Sequence, residues 1–249
     1  MLRTDGQKMF DKSFLFSRDE LAMLLSKFGI KYFYGFDLSA DYESPRKYIV
    51  LMNRLIKAGF LSIGEKNLKF SSELSEVLMC IADCSYVLVF YPSAIYDGVK
   101  CCYISGNKTV LSQVYDGTNE KIKLTLADTD EIYDYISHGI SMGYSAEYEE
   151  DLEPDYKIKE IISFAEKSFP TQNASELRSF EYIEWVADIV EKNSGNILQR
   201  CFAINGEECS YIVKTEKNNV DINMFTDGKV KQYLFGFLDK SGDTKNDRC

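Results

Sequence analysis

Asp97-Gly98-Val99-Lys100-Cys101-Cys102-Tyr103-Ile104 returns as Asn205-Gly206-Glu207-Glu208-Cys209-Ser210-Tyr211-Ile212. Both octapeptides reduce to Asp or Asn, Gly, any residue, Lys or Glu, Cys, any residue, Tyr, Ile. Asp-Gly and Asn-Gly tolerate the backbone of a tight hairpin turn, and the residues after them favour a pleated strand, so each copy reads as a turn running into a strand. The surroundings match as well. Before each lies a strand preceded by an apolar-striped helix, and after each a polar turn, a strand and a second Asp-Gly turn, Asp116-Gly117 and Asp227-Gly228. This order predicts an α+β fold in which two quasi-symmetric helix-plus-meander halves, about 14–142 and 155–239, form a central antiparallel sheet flanked by helices. The halves make a single domain spanning 1–249 about a pseudo-twofold axis, with 240–249 a polar tail. Hairpins also reuse turn residues for physical reasons alone, which is the other account of the match.

Outward from the first octapeptide the elements follow from periodicity. Ser17 and Glu20 have capping-box spacing, and Leu21, Leu24, Leu25 and Phe28 share one helical face up to Gly29. Ser44-Pro45 opens a second helix on Tyr48, Leu51, Met52 and Leu55, with Ile49, Val50 and Ile56 widening the stripe so that the helix reads as largely buried. Gly59 stops it, and 60–63, a turn, and 68–70 make a small hairpin. Helix, helix and hairpin form a winged-helix-like segment. Ser72 is placed to cap a third helix on Leu74, Val77, Leu78 and Ile81. Strands at 86–91, 99–105, 109–115 and 121–126 complete a meander, and Asp128 with Glu131 heads a helix on Ile132, Tyr135, Ile136 and Ile140.

The second half opens after an acidic run from Glu147 to Asp155, which reads as a solvated linker or a steering surface for a basic partner. A helix on Ile158, Ile161, Ile162, Ala165 and Phe169 follows, then a polar connector from Thr171 to Ser175. A long helix is expected on Tyr182, Trp185, Val186, Ile189 and Val190, and strands from 196 to 238. In the last expected strand Tyr233, Phe235 and Phe237 share one face and Val230, Leu234 and Leu238 use the other. That pattern fits either a strand covered on both sides or an aromatic groove for a partner.

Composition narrows the chemistry. The 249 residues are 45% hydrophobic and 27% charged with a formal net charge of -10, a folded chain whose whole surface is not made for nucleic acid. One histidine, His138, leaves no histidine metal site and one possible imidazole for a triad. The 7 cysteines are odd in number, sit in apolar runs and include no CxxC, as expected of buried thiols in a reducing cytoplasm. Cys80 and Cys84 could share a metal at i, i+4, but no second ligand pair accompanies them. Cys101 and Cys102 lie in a strand far in sequence from His138, and no Gly-rich phosphate loop occurs. The expectation is no catalytic residue, no metal, no cofactor and no membrane insertion, the apolar runs being strand-sized.

Phe16-Ser17-Arg18-Asp19-Glu20-Leu21, Asn53-Arg54-Leu55-Ile56-Lys57-Ala58-Gly59-Phe60-Leu61, and Phe70-Ser71-Ser72-Glu73-Leu74 leading through Ile81-Ala82 to the strand at 86–91 resemble the EspG family of type VII secretion chaperones and adaptors. The resemblance implies a central antiparallel sheet of two quasi-symmetric halves with flanking helical bundles. It also implies a non-catalytic cytoplasmic protein that binds the hydrophobic tip of a small helical secreted partner. No equivalent of the family's C-terminal segment follows the last expected strand, so no binding residue is carried over. Tyr233, Phe235 and Phe237 are candidates from the residues themselves. The competing reading is a winged-helix DNA-binding regulator: Arg46, Lys47, Arg54, Lys57, Lys66 and Lys69 face only Glu65 between 44 and 70, with Arg46, Lys47, Arg54 and Lys57 as the DNA contacts.

Overall fold

The computed structural model describes residues 12–36, 38, 44–64, 67–92, 98–115, 121–138, 156–169, 174–177, 180, 182–206, 209–217 and 219–242. The acidic run 147–155, the Asp116-Gly117 turn, the end of the tail and the side chains of His138 and Phe237 lie outside the description. In chain order the elements are β1 (Lys12–Ser17), α1 (Arg18–Phe28), α2 (Pro45–Lys57), β2 (Leu61–Ile63), β3 (Leu68–Phe70), α3 (Ser72–Asp83), β4 (Tyr86–Pro92), β5 (Lys100–Ser105), β6 (Lys108–Val114), β7 (Lys121–Asp128) and α4 (Thr129–His138). They continue with α5 (Tyr156–Ser168), α6 (Ala174–Leu177), β8 (Ile183–Glu191), β9 (Ile197–Asn205), β10 (Ser210–Glu216), β11 (Asn219–Met224) and α7 (Asp227–Gly242). The chain forms two compact units, Met1–Ser85 with Lys100–Glu131 and Tyr86–Val99 with Ile132–Cys249.

In the first unit the strands run antiparallel in the order β1-β7-β6-β5. The edge strand β1, absent from the sequence expectation, sets Phe14 opposite Leu124 and Phe16 opposite Ile122. Phe60, just past α2, closes over both rings at 5.7 and 5.2 Å. Ser17 caps α1 as its spacing implies: its hydroxyl accepts from the Glu20 amide at 3.3 Å, and the Glu20 carboxylate accepts from the Ser17 amide at 2.9 Å. Gly29 ends the helix in the left-handed region (φ 80°), where a side chain would be strained. The cap of α3 is Ser71, one residue before the expected Ser72, and its hydroxyl accepts from the Leu74 amide at 3.3 Å.

The second unit orders its strands β4-β8-β9-β10-β11, again antiparallel. Ile158, Ile161, Ile162 and Ala165 of α5 and Leu177 of α6 form a core with Val186, Phe202, Ile204, Tyr211 and Val213 of the sheet. Two expectations are corrected here. Residues 183–191 form a strand, not a helix: Trp185, Ala187 and Ile189 are buried alternately with Val186, Asp188 and Val190, so both faces are covered and no period of two is left to read. Residues 227–242 form a helix, not a strand, in which Val230, Tyr233 and Leu234 recur at helical spacing and are buried. The Thr226 hydroxyl accepts from the Lys229 amide at 3.2 Å at its start.

With those corrections a different repeat emerges. Four strands followed by a helix occur twice, as β4 to β7 with α4 and as β8 to β11 with α7. In that order β5 corresponds to β9, whereas the octapeptides lay β5 on β10, one strand out of step.

Candidate interaction face

Tyr233 and Phe235 are buried on α7. The Phe235 ring meets Tyr133 edge-on at 5.2 Å, and the Tyr133 hydroxyl donates to the Asp227 carbonyl at 3.0 Å. The Tyr233 carbonyl accepts from the Gln199 side-chain amide at 2.5 Å, its hydroxyl accepts from Asn223, and the Lys214 ammonium sits 5.2 Å from its ring centre. Burial pushes the Tyr233 phenol well up, and the neighbouring Asp221 adds to it. These two rings hold α7 in place; neither offers an open groove.

The four cations proposed for DNA separate into two kinds. Lys47 binds Asp19 at 2.9 Å and ties α2 to α1. Arg46, Arg54 and Lys57 are exposed and, among the described residues, meet no carboxylate. At 100° per residue they share the outward face of α2 with Asn53, Ile49 and Val50, opposite the buried Leu51, Met52 and Leu55. Ile49 is 59% and Val50 46% exposed, which corrects the reading of this helix as largely buried. They lie off the stripe set by Tyr48, Leu51, Met52 and Leu55, a signal that helical geometry makes available from sequence. No acidic residue occupies the first turn of α2.

The hairpin that follows extends this apolar character. Leu61 pairs with Phe70 and Ile63 with Leu68, and opposed residues of an antiparallel pair share a face. The base of that face is packed, Phe70 lying 5.4 Å from Phe28, while the tip is open: Ile63 is 78% and Leu68 40% exposed. Lys69 is exposed on the strand between them and Phe70.

Elsewhere the titratable groups are enclosed. All six described cysteines are buried and none is in a disulfide, and burial pushes Cys80, Cys102 and Cys201 up to about 12. Among the described residues no group of three or more His, Cys, Asp or Glu is placed to hold a metal ion. Asp188 and Arg200, opposed on β8 and β9, form a two-pronged ion pair at 2.6 and 2.9 Å. Burial raises the Asp188 carboxyl, with the guanidinium pulling the other way. The nearby Trp185 ring packs on Phe90 at 5.6 Å, its N–H buried without a partner among the described residues.

No protein-family model and no curated protein matches the sequence. Among solved structures the chain is similar to the type VII secretion system chaperone EspG5 of Mycobacterium tuberculosis, determined in complex with a PE25-PPE41 dimer. The likeness covers 92% of this chain and 96% of that one with a TM-score of 0.53 and 11% sequence identity. At that identity it establishes the fold: antiparallel strands with flanking helices, as the sequence predicted. No helix among the described residues is long and apolar enough to cross a membrane.

Proposed function

We propose that this chain is a non-catalytic, cytoplasmic protein-binding adaptor that covers the hydrophobic end of a small helical secreted partner in a type VII-like secretion system. The supporting observation is the likeness over 92% of the chain to a chaperone whose structure was determined with a PE25-PPE41 dimer bound. The work needs no chemistry. Covering apolar helix surface is worth about 25 cal/mol per Å² before ordering costs, enough to hold a partner and still release it. The net charge of -10 keeps copies of the adaptor apart. In the same reading the two runs of four strands and a helix are copies of one ancestral unit, and the repeated octapeptide is hairpin chemistry rather than the trace of that duplication.

Co-purification from the native host tests the proposal. A small helical protein recovered in constant ratio supports it; recovery of nucleic acid alone, or of nothing, counts against it. The second reading, a DNA-binding regulator, is favoured by Arg46, Arg54 and Lys57 on the helix that leads into the wing. A salt-dependent shift of duplex DNA, abolished by Arg46→Glu with Arg54→Glu and Lys57→Glu, would select it.

A further inference from the structure

We infer that the outward face of α2 is a docking surface for an amphipathic protein segment with an apolar stripe flanked by carboxylates. The inference rests on the reading of the chain as a protein-binding adaptor and assigns that adaptor a face. Three observations carry it. First, a chain with 39 acidic and 29 basic residues has one stretch, 44–70, where cations dominate. Second, three lysines of the first unit are tied to carboxylates, Lys12 to Glu76, Lys47 to Asp19 and Lys108 to Asp128, each at 2.9 Å. Arg46, Arg54 and Lys57 are exposed and meet no carboxylate among the described residues, so their charge is available to a partner.

Third, the cations frame aliphatic side chains. Ile49 and Val50, 59% and 46% exposed, lie among them on the outward face of α2. Folding does not require this arrangement, because Leu51, Met52, Leu55 and Leu61 already supply the buried side of α2 and the hairpin. Charge alone would suit a phosphate backbone as well as carboxylates. The aliphatic groups decide between them: a phosphate backbone leaves Ile49 and Val50 in water, whereas an amphipathic helix covers them and brings acidic residues to Arg46, Arg54 and Lys57.

Two labelled helical peptides of one length, each with a leucine stripe, one flanked by glutamates and the other by lysines, test the face beside a random-sequence DNA duplex, with binding read by fluorescence anisotropy. The glutamate peptide is expected to bind at least about tenfold more tightly than the lysine peptide. Ile49→Ser with Val50→Ser, and separately Arg46→Glu with Arg54→Glu and Lys57→Glu, each weaken it about tenfold, and the charge-reversed protein prefers the lysine peptide. These side chains are exposed, so circular dichroism should report unchanged folding. Equal binding of both peptides, or a preference that survives the reversal, overturns the inference. So does duplex binding that is tighter than peptide binding, is lost on reversal and is indifferent to the two serines. The adaptor reading fails separately: it falls if the unaltered chain recovers no partner from its host, whereas recovery of a partner equally by the unaltered and reversed proteins removes only the face.

Discussion

Asp188 and Arg200 face each other across β8 and β9 with side chains 3% and 2% exposed. A guanidinium cannot shed its proton, so removing its partner strands a charge in the core. Asp188→Ala is expected to cost about 3–5 kcal/mol, read as a lowered denaturation midpoint, while Asp188→Leu with Arg200→Met is far milder. An equal loss in both would mean that packing rather than charge decides. The pair was not legible in the sequence, because its partners are 12 residues apart and meet through the β8–β9 register. The cysteines were legible as buried thiols, and they carry a pH dependence. Their folded values, about 12 for Cys80, Cys102 and Cys201, lie above the ordinary 9, so the stabilisation is complete below about 9 and is lost as pH rises towards 12. Stability should therefore fall across that alkaline window, and iodoacetamide at pH 8 should label the six described cysteines only after unfolding. Rapid labelling of the native protein at Cys80, Cys102 or Cys201 would contradict this.

At the scale of elements the sequence was clear where one face of an element is wet and ambiguous where both are covered. α1 announces itself with Ser17, Glu20 and Gly29, and Ser17→Ala should cost about 1 kcal/mol, measurable by chemical denaturation. β8 was misread because Trp185, Val186, Ile189 and Val190 satisfy helical spacing while belonging to a strand buried on both faces. α7 was misread in the opposite sense: Tyr233, Phe235 and Phe237 alternate, but Val230, Tyr233 and Leu234 carry the packing at helical spacing. The consequence is measurable. Phe235→Ala removes a buried ring that meets Tyr133 and should cost about 3–5 kcal/mol, whereas Val50→Ser on α2 should leave the melting temperature nearly unchanged. The reverse ranking would place the aromatic residues at a surface and α2 in the core.

For the whole molecule, the sequence reading led to antiparallel strands with flanking helices, the fold that the likeness over 92% of the chain also supports. The expected order of elements holds from β4 to α4 and fails at β8 and α7, where helix and strand are exchanged. The octapeptide that first suggested a repeat joins strands that hold different places in the two runs, and hairpins reuse Asp-Gly and Asn-Gly turns for physical reasons. The interaction face was half legible: its cations stood out against the acidic chain, but Ile49 and Val50 looked like core until the outward side of α2 was defined. A buried stripe and an exposed pair differ by a rotation about the helix axis: Ile49 and Val50 lie opposite Leu51, Met52 and Leu55, whose burial fixes the inward side.

The most direct measurement is photo-crosslinking in the native host from a benzophenone side chain placed at Val50. The account predicts one crosslinked protein, joined through an amphipathic segment rich in Asp and Glu, and loss of that product when Arg46, Arg54 and Lys57 are reversed to Glu. Crosslinks to nucleic acid, or a stable partner that never crosslinks from this position, would contradict it.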